Sequence, residues 1–174
     1  MSPFWMLKAI GQETKRDWRV LDVGCAEGGR SKWFISSGCD VTGIDIKIYS
    51  NDYSERGLKF IQTSLEDYRP VQRFNVVVAM YVMPFVRCTW DERIAHLTRL
   101  MERGALLLLT VFAPGDGRAT EPNIAIIGEE ELSDLLQRHK LKVRYRCHEE
   151  YEGPTRQGKV MFWSVIGVVA ELGA

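Results

Sequence analysis

Short apolar runs alternate along this chain with amphipathic stretches, and the alternation predicts strands and helices in turn. Arg19–Val23 (RVLDV) reads as a strand, and so does Phe74–Ala79 (FNVVVA). The second is nearly continuous in apolar residues, as a strand covered on both faces must be. Cys39–Ile46 and Leu58–Ile61 are further short strands, and Ala105–Phe112 (ALLLLTVF) is another buried one. The stretches between them carry helix signals. Arg30–Ser37 is closed by Gly38. Thr89 and Glu92 form a T-x-x-E capping box for a helix running to Arg103, with Gly104 as its stop. Glu129–His139 places Leu132, Leu135 and Leu136 on one face, with acidic residues in its first turn. At the start, Pro3 opens a short amphipathic helix within Ser2–Lys15 that carries Phe4, Trp5, Met6 and Leu7. Its aromatics either cover a sheet edge or form a lid over residues further on.

Toward the C-terminus the period changes. Leu141, Val143, Tyr145 and Cys147 alternate with Lys140, Lys142, Arg144 and Arg146, the pattern of a half-buried strand. Gly153–Gly158 turns the chain, and Val160–Ala170 returns as an apolar strand antiparallel to the one before it. The whole order predicts an α/β fold. It is a doubly wound, mostly parallel seven-stranded sheet with helices on both faces and an antiparallel C-terminal hairpin, within one domain over residues 1–174.

Composition narrows the function classes. There are 23 basic and 23 acidic residues, so no strong field draws nucleic acid or an anionic membrane. The row Lys140–Arg146 could track a phosphate backbone, but such a row also serves as a solvated face that discourages edge pairing. The four cysteines, Cys25, Cys39, Cys88 and Cys147, are scattered without a C-x-x-C pair. That argues against a metal site and fits a reducing cytoplasm. No basic start followed by an apolar run marks a signal segment, and no apolar run approaches the roughly 20 residues of a membrane span.

The stretch that carries chemistry is Val20–Gly29, VLDVGCAEGG. A strand enters a turn of small residues, Gly24, Cys25, Ala26, Gly28 and Gly29, and then a helix. That arrangement points backbone N–H groups at a ligand and lets it approach the backbone closely. Gly24, Ala26 and Gly29 approximate G-x-G-x-x-G, with Ala at the middle glycine. Asp22 precedes the first glycine and Glu27 lies inside the turn. Two carboxylates disfavour a pyrophosphate and favour a cationic cofactor, so the charges prefer S-adenosylmethionine (SAM) to NAD. Asp45 follows Gly24 by about the 20 residues expected of a carboxylate that holds ribose hydroxyls, with Ile46 beside it.

DVGCAEGG resembles the first motif of the Rossmann-like (class I) SAM-dependent methyltransferases, an acidic residue followed by G-x-G-x-G. The resemblance covers nearly the whole chain. Within that class VTGID, FNVVVAMYVMPFV and the tail from EEL onward resemble the small tellurite-resistance type. The resemblance implies SAM as cofactor, S-adenosylhomocysteine (SAH) as product, and a last strand inserted antiparallel. It places Ser64, Leu65 and Glu66 at the adenine, with Glu66 or Asp67 accepting from its amino group. Met80, Tyr81 and Phe85 emerge at the carboxyl edge of the sheet, as core packing or as the wall of the cofactor and acceptor pocket. In this family Arg often follows the last motif glycine directly, whereas here Gly29 precedes Arg30.

Other constellations are missing. Val82-Met83-Pro84-Phe85 stands where base-amino methyltransferases carry Asn/Asp-Pro-Pro-aromatic, and Cys88 lacks the Pro of cytosine-carbon enzymes. No nucleophile elbow or H-E-x-x-H is present, and His148-Glu149-Glu150 reads as a charged strand end. No general base can be named. The expected reaction is in-line methyl transfer to a small-molecule acceptor, in a monomer or a homodimer. A thiol, metalloid or carboxylate acceptor would need no base. The rival readings are an NAD(P)-linked oxidoreductase, a non-catalytic SAM-binding module suggested by Ala26 and Ser64, and a methyltransferase acting on RNA or protein.

Overall fold

The computed structural model describes residues 4–49, 52–155 and 157–173. The predicted helix start at Pro3 lies outside them. The elements run α1 (Phe4–Ile10), β1 (Arg19–Val23), α2 (Gly29–Ser36), β2 (Asp40–Asp45), β3 (Lys59–Gln62) and β4 (Phe74–Ala79). A short 3-10 turn (Met83–Phe85), α3 (Trp90–Arg99), β5 (Met101–Phe112), α4 (Glu129–Arg138), β6 (Leu141–Pro154) and β7 (Val160–Leu172) follow. The strands form a seven-stranded sheet in the order β3-β2-β1-β4-β5-β7-β6. β1 to β5 pair in parallel, and β7 lies antiparallel between β5 and β6. The expected doubly wound sheet with an antiparallel C-terminal hairpin is the observed one.

Alternate residues of the central strands feed two separate cores. Leu21, Val77, Leu107 and Leu109 join Ile94 and Leu97 of α3 and Leu132, Leu135 and Leu136 of α4. Val20, Val76, Val78, Leu106 and Leu108 join Met6, Leu7 and Ile10 of α1 and Phe34 of α2. A parallel strand sandwiched this way is apolar on both sides, which is why β4 and β5 lack polar alternation. All ligand-accessible chemistry is therefore left to the carboxyl edge of the sheet, where β1, β2, β4 and β5 release their loops.

The capping box is present. Thr89 accepts from the Glu92 N–H, and the Glu92 carboxylate accepts from the Thr89 N–H. The helix it opens ends at Arg99, not Arg103. Met101 already pairs with Phe74, and the β4–β5 register shifts between Phe74 and Val76. Gly104, at φ +75, therefore lies within β5 and does not stop the helix. β6 also differs from expectation. It continues to Pro154, so the turn begins after that residue, and Val143 and Tyr145 remain largely exposed. β6 is an edge strand, and an irregularity between Val143 and Tyr145 breaks the alternation that a half-buried strand would keep.

Candidate active site

The turn after β1 is built from left-handed residues. Gly24, Ala26 and Gly28 have φ of +66, +48 and +77. A Cβ on Gly24 would stand 2.5 Å from Val82 Cγ2, so only glycine lets the turn pack under the β4 loop. Four of the turn's N–H groups, those of Gly24, Cys25, Ala26 and Gly28, are not open, contrary to expectation. Gly24 and Cys25 both donate to the Ile44 carbonyl, at 2.8 and 3.2 Å, and Gly28 donates to the Cys25 carbonyl at 2.8 Å. Ala26 donates to Asp45 Oδ2 at 3.1 Å. The turn is thus tied to the end of β2 and presents a shaped backbone surface more than a row of free donors.

Asp22 takes no direct part in the cavity. It is fully buried beneath the turn, and its Oδ2 accepts from the Ser31 hydroxyl at 2.7 Å. Burial pushes its carboxyl above the ordinary aspartate value, against the opposing pull of Arg30 and Ser31. Arg30 Nε lies 3.9 Å from Asp22 Oδ1, beyond hydrogen-bond reach, and both atoms lack a hydrogen-bond partner among the described residues. Cys25 is buried against Gly43, where a Cβ would come within 2.7 Å of its sulfur. Burial and the nearby carboxylates push this thiol up to about 12, so it is not a nucleophile at neutral pH, and it does not line the cavity described below. Gly28 caps α2 and faces Leu58. Asp22, Cys25 and Gly28 therefore shape the site from behind.

In front of the turn lies a cavity of about 860 Å³. Gly24, Ala26, Asp45, Ile46, Ser64, Leu65, Glu66, Met80 and Tyr81 all line it. Asp45 is the fixed point. Its Oδ2 accepts from Ala26 N–H and its Oδ1 from Lys47 N–H, both at 3.1 Å, and the residue lines the cavity. Ile46 is 64% exposed over the opening and Leu65 is buried beneath. Asp67 is locked onto the Ser64 hydroxyl at 2.7 Å and lies outside the lining, so Glu66 is the acidic residue that reaches the cavity.

The carboxylates facing the cavity are Asp45 and Glu66, and the cations are Arg30, Lys47, Arg87 and Arg118. Neither Asp22 nor the exposed Glu27 lines it, so repulsion of a pyrophosphate by that pair does not select the cofactor. The reaction class comes from relationship. The family described as methyltransferase domain matches residues 6–151. This chain belongs to the methyltransferase-domain family. Its enzyme class is methyltransferase.

Solved structures agree at the level of the fold. TehB from Haemophilus influenzae superposes with a TM-score of 0.77 at 16% identity, over 95% of this chain. This chain spans 60% of that TehB chain. The N-methyltransferase NodS from Bradyrhizobium japonicum WM9, solved with SAH, gives 0.70 at 14% identity, over 98% of this chain and 85% of its own. The 1,6-didemethyltoxoflavin-N1-methyltransferase of Burkholderia thailandensis, solved with its acceptor and SAH, gives 0.71 at 17%, over 99% and 77%. No curated protein matches the sequence.

The far wall of this methyltransferase's cavity is aromatic. Tyr81 sits at the end of β4 with φ +59 and donates its N–H to Thr110 Oγ1 at 2.6 Å. A bulky residue held left-handed at a ligand edge is stored strain of the kind found at functional sites. Burial, then the charge and hydrogen bond of Tyr151, raise its phenol, so Tyr81 stays protonated at neutral pH. Phe85, Phe112 and Trp163 complete the wall. Sequence reasoning missed Phe112, Arg118 and Trp163 as site residues, and it left Arg30 without a role. The only signal for Arg118 was its place in the long loop after β5. The lining contains no histidine and no cysteine among the described residues, so the cavity offers no imidazole or thiolate base.

The residues fit the cofactor on the structure's own terms. The nucleoside side offers a fixed carboxylate, apolar faces and polar edges, and Arg30, whose terminal nitrogen donates to the Gly24 carbonyl at 3.3 Å, lines the cavity beside the turn. α1 buries Met6, Leu7 and Ile10, and none of its described residues lines the cavity.

Proposed function

We propose that the cavity binds SAM across its β1–β3 side and delivers the methyl group to a small-molecule acceptor on its β4–β7 side. Asp45 accepts from the ribose hydroxyls, Ile46 and Leu65 lie against the adenine faces, and Ser64 and Glu66 meet its polar edge. Arg30 meets the cofactor's carboxylate, and Met80 and Tyr81 form the floor where the two halves join. The observation that carries this reading is the placement of Asp45, a carboxylate fixed by two backbone N–H groups at the end of β2 in the wall of the cavity. A cavity of about 860 Å³ is at the upper end of small-molecule sites, which are roughly 300–1,000 Å³, and leaves room for an acceptor.

Bound SAM supplies a methyl on a sulfonium: an acceptor lone pair bonds the methyl carbon as the C–S bond breaks, and its electrons stay on sulfur to give SAH. The chain's contribution is positioning, which can supply on the order of 7–11 kcal/mol. The aromatic wall excludes water, and the Tyr81 phenol offers a hydrogen bond but no basic oxygen at neutral pH. An acceptor protonated at working pH must lose its proton to solvent. No described helix is long and apolar enough to cross a membrane. The four free thiols suit a reducing cytoplasm.

Crystals grown with SAH test the assignment. The expected density places the ribose on Asp45 and the amino-acid end toward Arg30. SAH elsewhere on the protein would refute it.

A further inference from the structure

Arg118 stands in the acceptor half of the cavity with its charge uncompensated. Its guanidinium lies 5.2 Å from the ring centre of Trp163 and 5.6 Å from those of Phe85 and Phe112. No carboxylate pairs with it among the described residues. The cation stands over these rings, and its N–H groups make no hydrogen bond among the described residues; a half-buried guanidinium with open edges is a fork for a planar anion.

The position is built. Asp116, itself buried, spends one oxygen on the Arg118 N–H and the other on the Ser164 N–H, each at 2.9 Å. Gly117 donates to the Phe162 carbonyl at 2.9 Å, and a Cβ there would stand 2.9 Å from that same oxygen. The loop after β5 is therefore pinned to β7 immediately before Arg118. The surrounding rings form a connected set, with Phe112 centred 5.9 Å from Trp163 and 6.1 Å from Phe85. Phe85 is 45% exposed at the opening, which presents apolar surface to an incoming ligand.

We propose that Arg118 is the specificity residue for the acceptor, and that the acceptor is a flat aromatic molecule bearing a carboxylate or similar anion. The anion pairs with the guanidinium edge, the flat body lies against Phe85, Phe112 and Trp163, and the methylated atom is another position on the same molecule. This deepens the methyl-transfer reading and rests on it. Asp116 is a positioning residue in the arrangement. The positive charge of bound SAM adds to the preference for an anion.

The test uses a matched probe pair, naphthalene-2-carboxylate and neutral naphthalene-2-carboxamide, titrated into protein saturated with SAH. The expected result is carboxylate binding at least about tenfold tighter than carboxamide, with the ratio falling to near one in Arg118→Gln and partly kept in Arg118→Lys. Equal binding of the two probes by the unaltered protein, or binding of neither, overturns the inference while SAH binding stands. A loss of SAH affinity in Arg118→Gln would assign the arginine to the cofactor and overturn it too. If SAH itself does not bind the unaltered protein, the methyl-transfer reading fails first, whatever Arg118 does.

Discussion

The backbone N–H of Ala26 donates to Asp45 Oδ2 at 3.1 Å, so the turn after β1 and the carboxylate after β2 hold each other in place. Asp45 is thereby oriented by the fold itself, and the N–H groups of Gly24, Cys25, Ala26 and Gly28 are spent within the turn and on β2. Replacing Asp45 removes both functions. Hydrogen bonds to a charged group are worth about 1.5–3 kcal/mol each, so Asp45→Asn should weaken SAM binding roughly 10- to 100-fold with the fold retained. Asp45→Ala should weaken it more, because the Ala26 and Lys47 N–H groups also lose their acceptor. Calorimetry with SAM checks the order; unchanged affinity in both variants would remove Asp45 from the site.

Ala26 itself is strained. A residue with a Cβ at φ +48 costs roughly 1 kcal/mol relative to glycine. Ala26→Gly should raise the melting temperature by a few degrees and leave SAM affinity unchanged or better. A lower melting temperature would show that the alanine methyl packs usefully.

Cys25 and Gly43 make a size pair. With Cys25 Sγ only 2.7 Å from the Cβ that Gly43 lacks, Gly43→Ala should destabilise by about 1–3 kcal/mol. Cys25→Ala made in the same chain should recover part of that loss, and Cys25→Ala alone should leave SAM affinity within about twofold. Urea titrations of the four proteins give the coupling. Additive losses would contradict the packing role.

Asp22 is a buried carboxyl whose pKa is raised mainly by burial. The folded state therefore favours the neutral acid. That preference contributes stability below the ordinary value of about 3.9 and is lost as pH rises through the raised folded value. Asp22→Asn keeps an acceptor for Ser31 and carries no charge, so its stability relative to the unaltered protein should be most favourable at neutral pH. The advantage should shrink on acidification toward pH 4. Melting curves across that range check the trend. An advantage that grows with acidity would reverse the assigned sign.

Much of this was legible in the sequence because it rests on local rules. The bounds of β1 and β4 and the Thr89–Glu92 box follow from periodicity and capping, and Asp45 follows from spacing along a βαβ unit. What depends on pairing with distant residues was not legible. Gly104 looks like a helix stop until Met101 is seen paired to Phe74. Asp22 looks like a cofactor-facing acid until Ser31 and Arg30 are seen around it. Arg118 and Trp163 are separated by a helix and a long hairpin, and only the pinning of the β5 loop by Asp116 to Ser164 brings them together.

Titration of SAM into the purified protein, beside NAD and NADP under the same conditions, reads the central claim most directly. We expect one SAM per chain, competed by SAH, with no heat from either dinucleotide and with the site lost on changing Asp45 to Ala. Saturable binding of NAD or NADP without SAM, or SAM binding indifferent to Asp45, would contradict it.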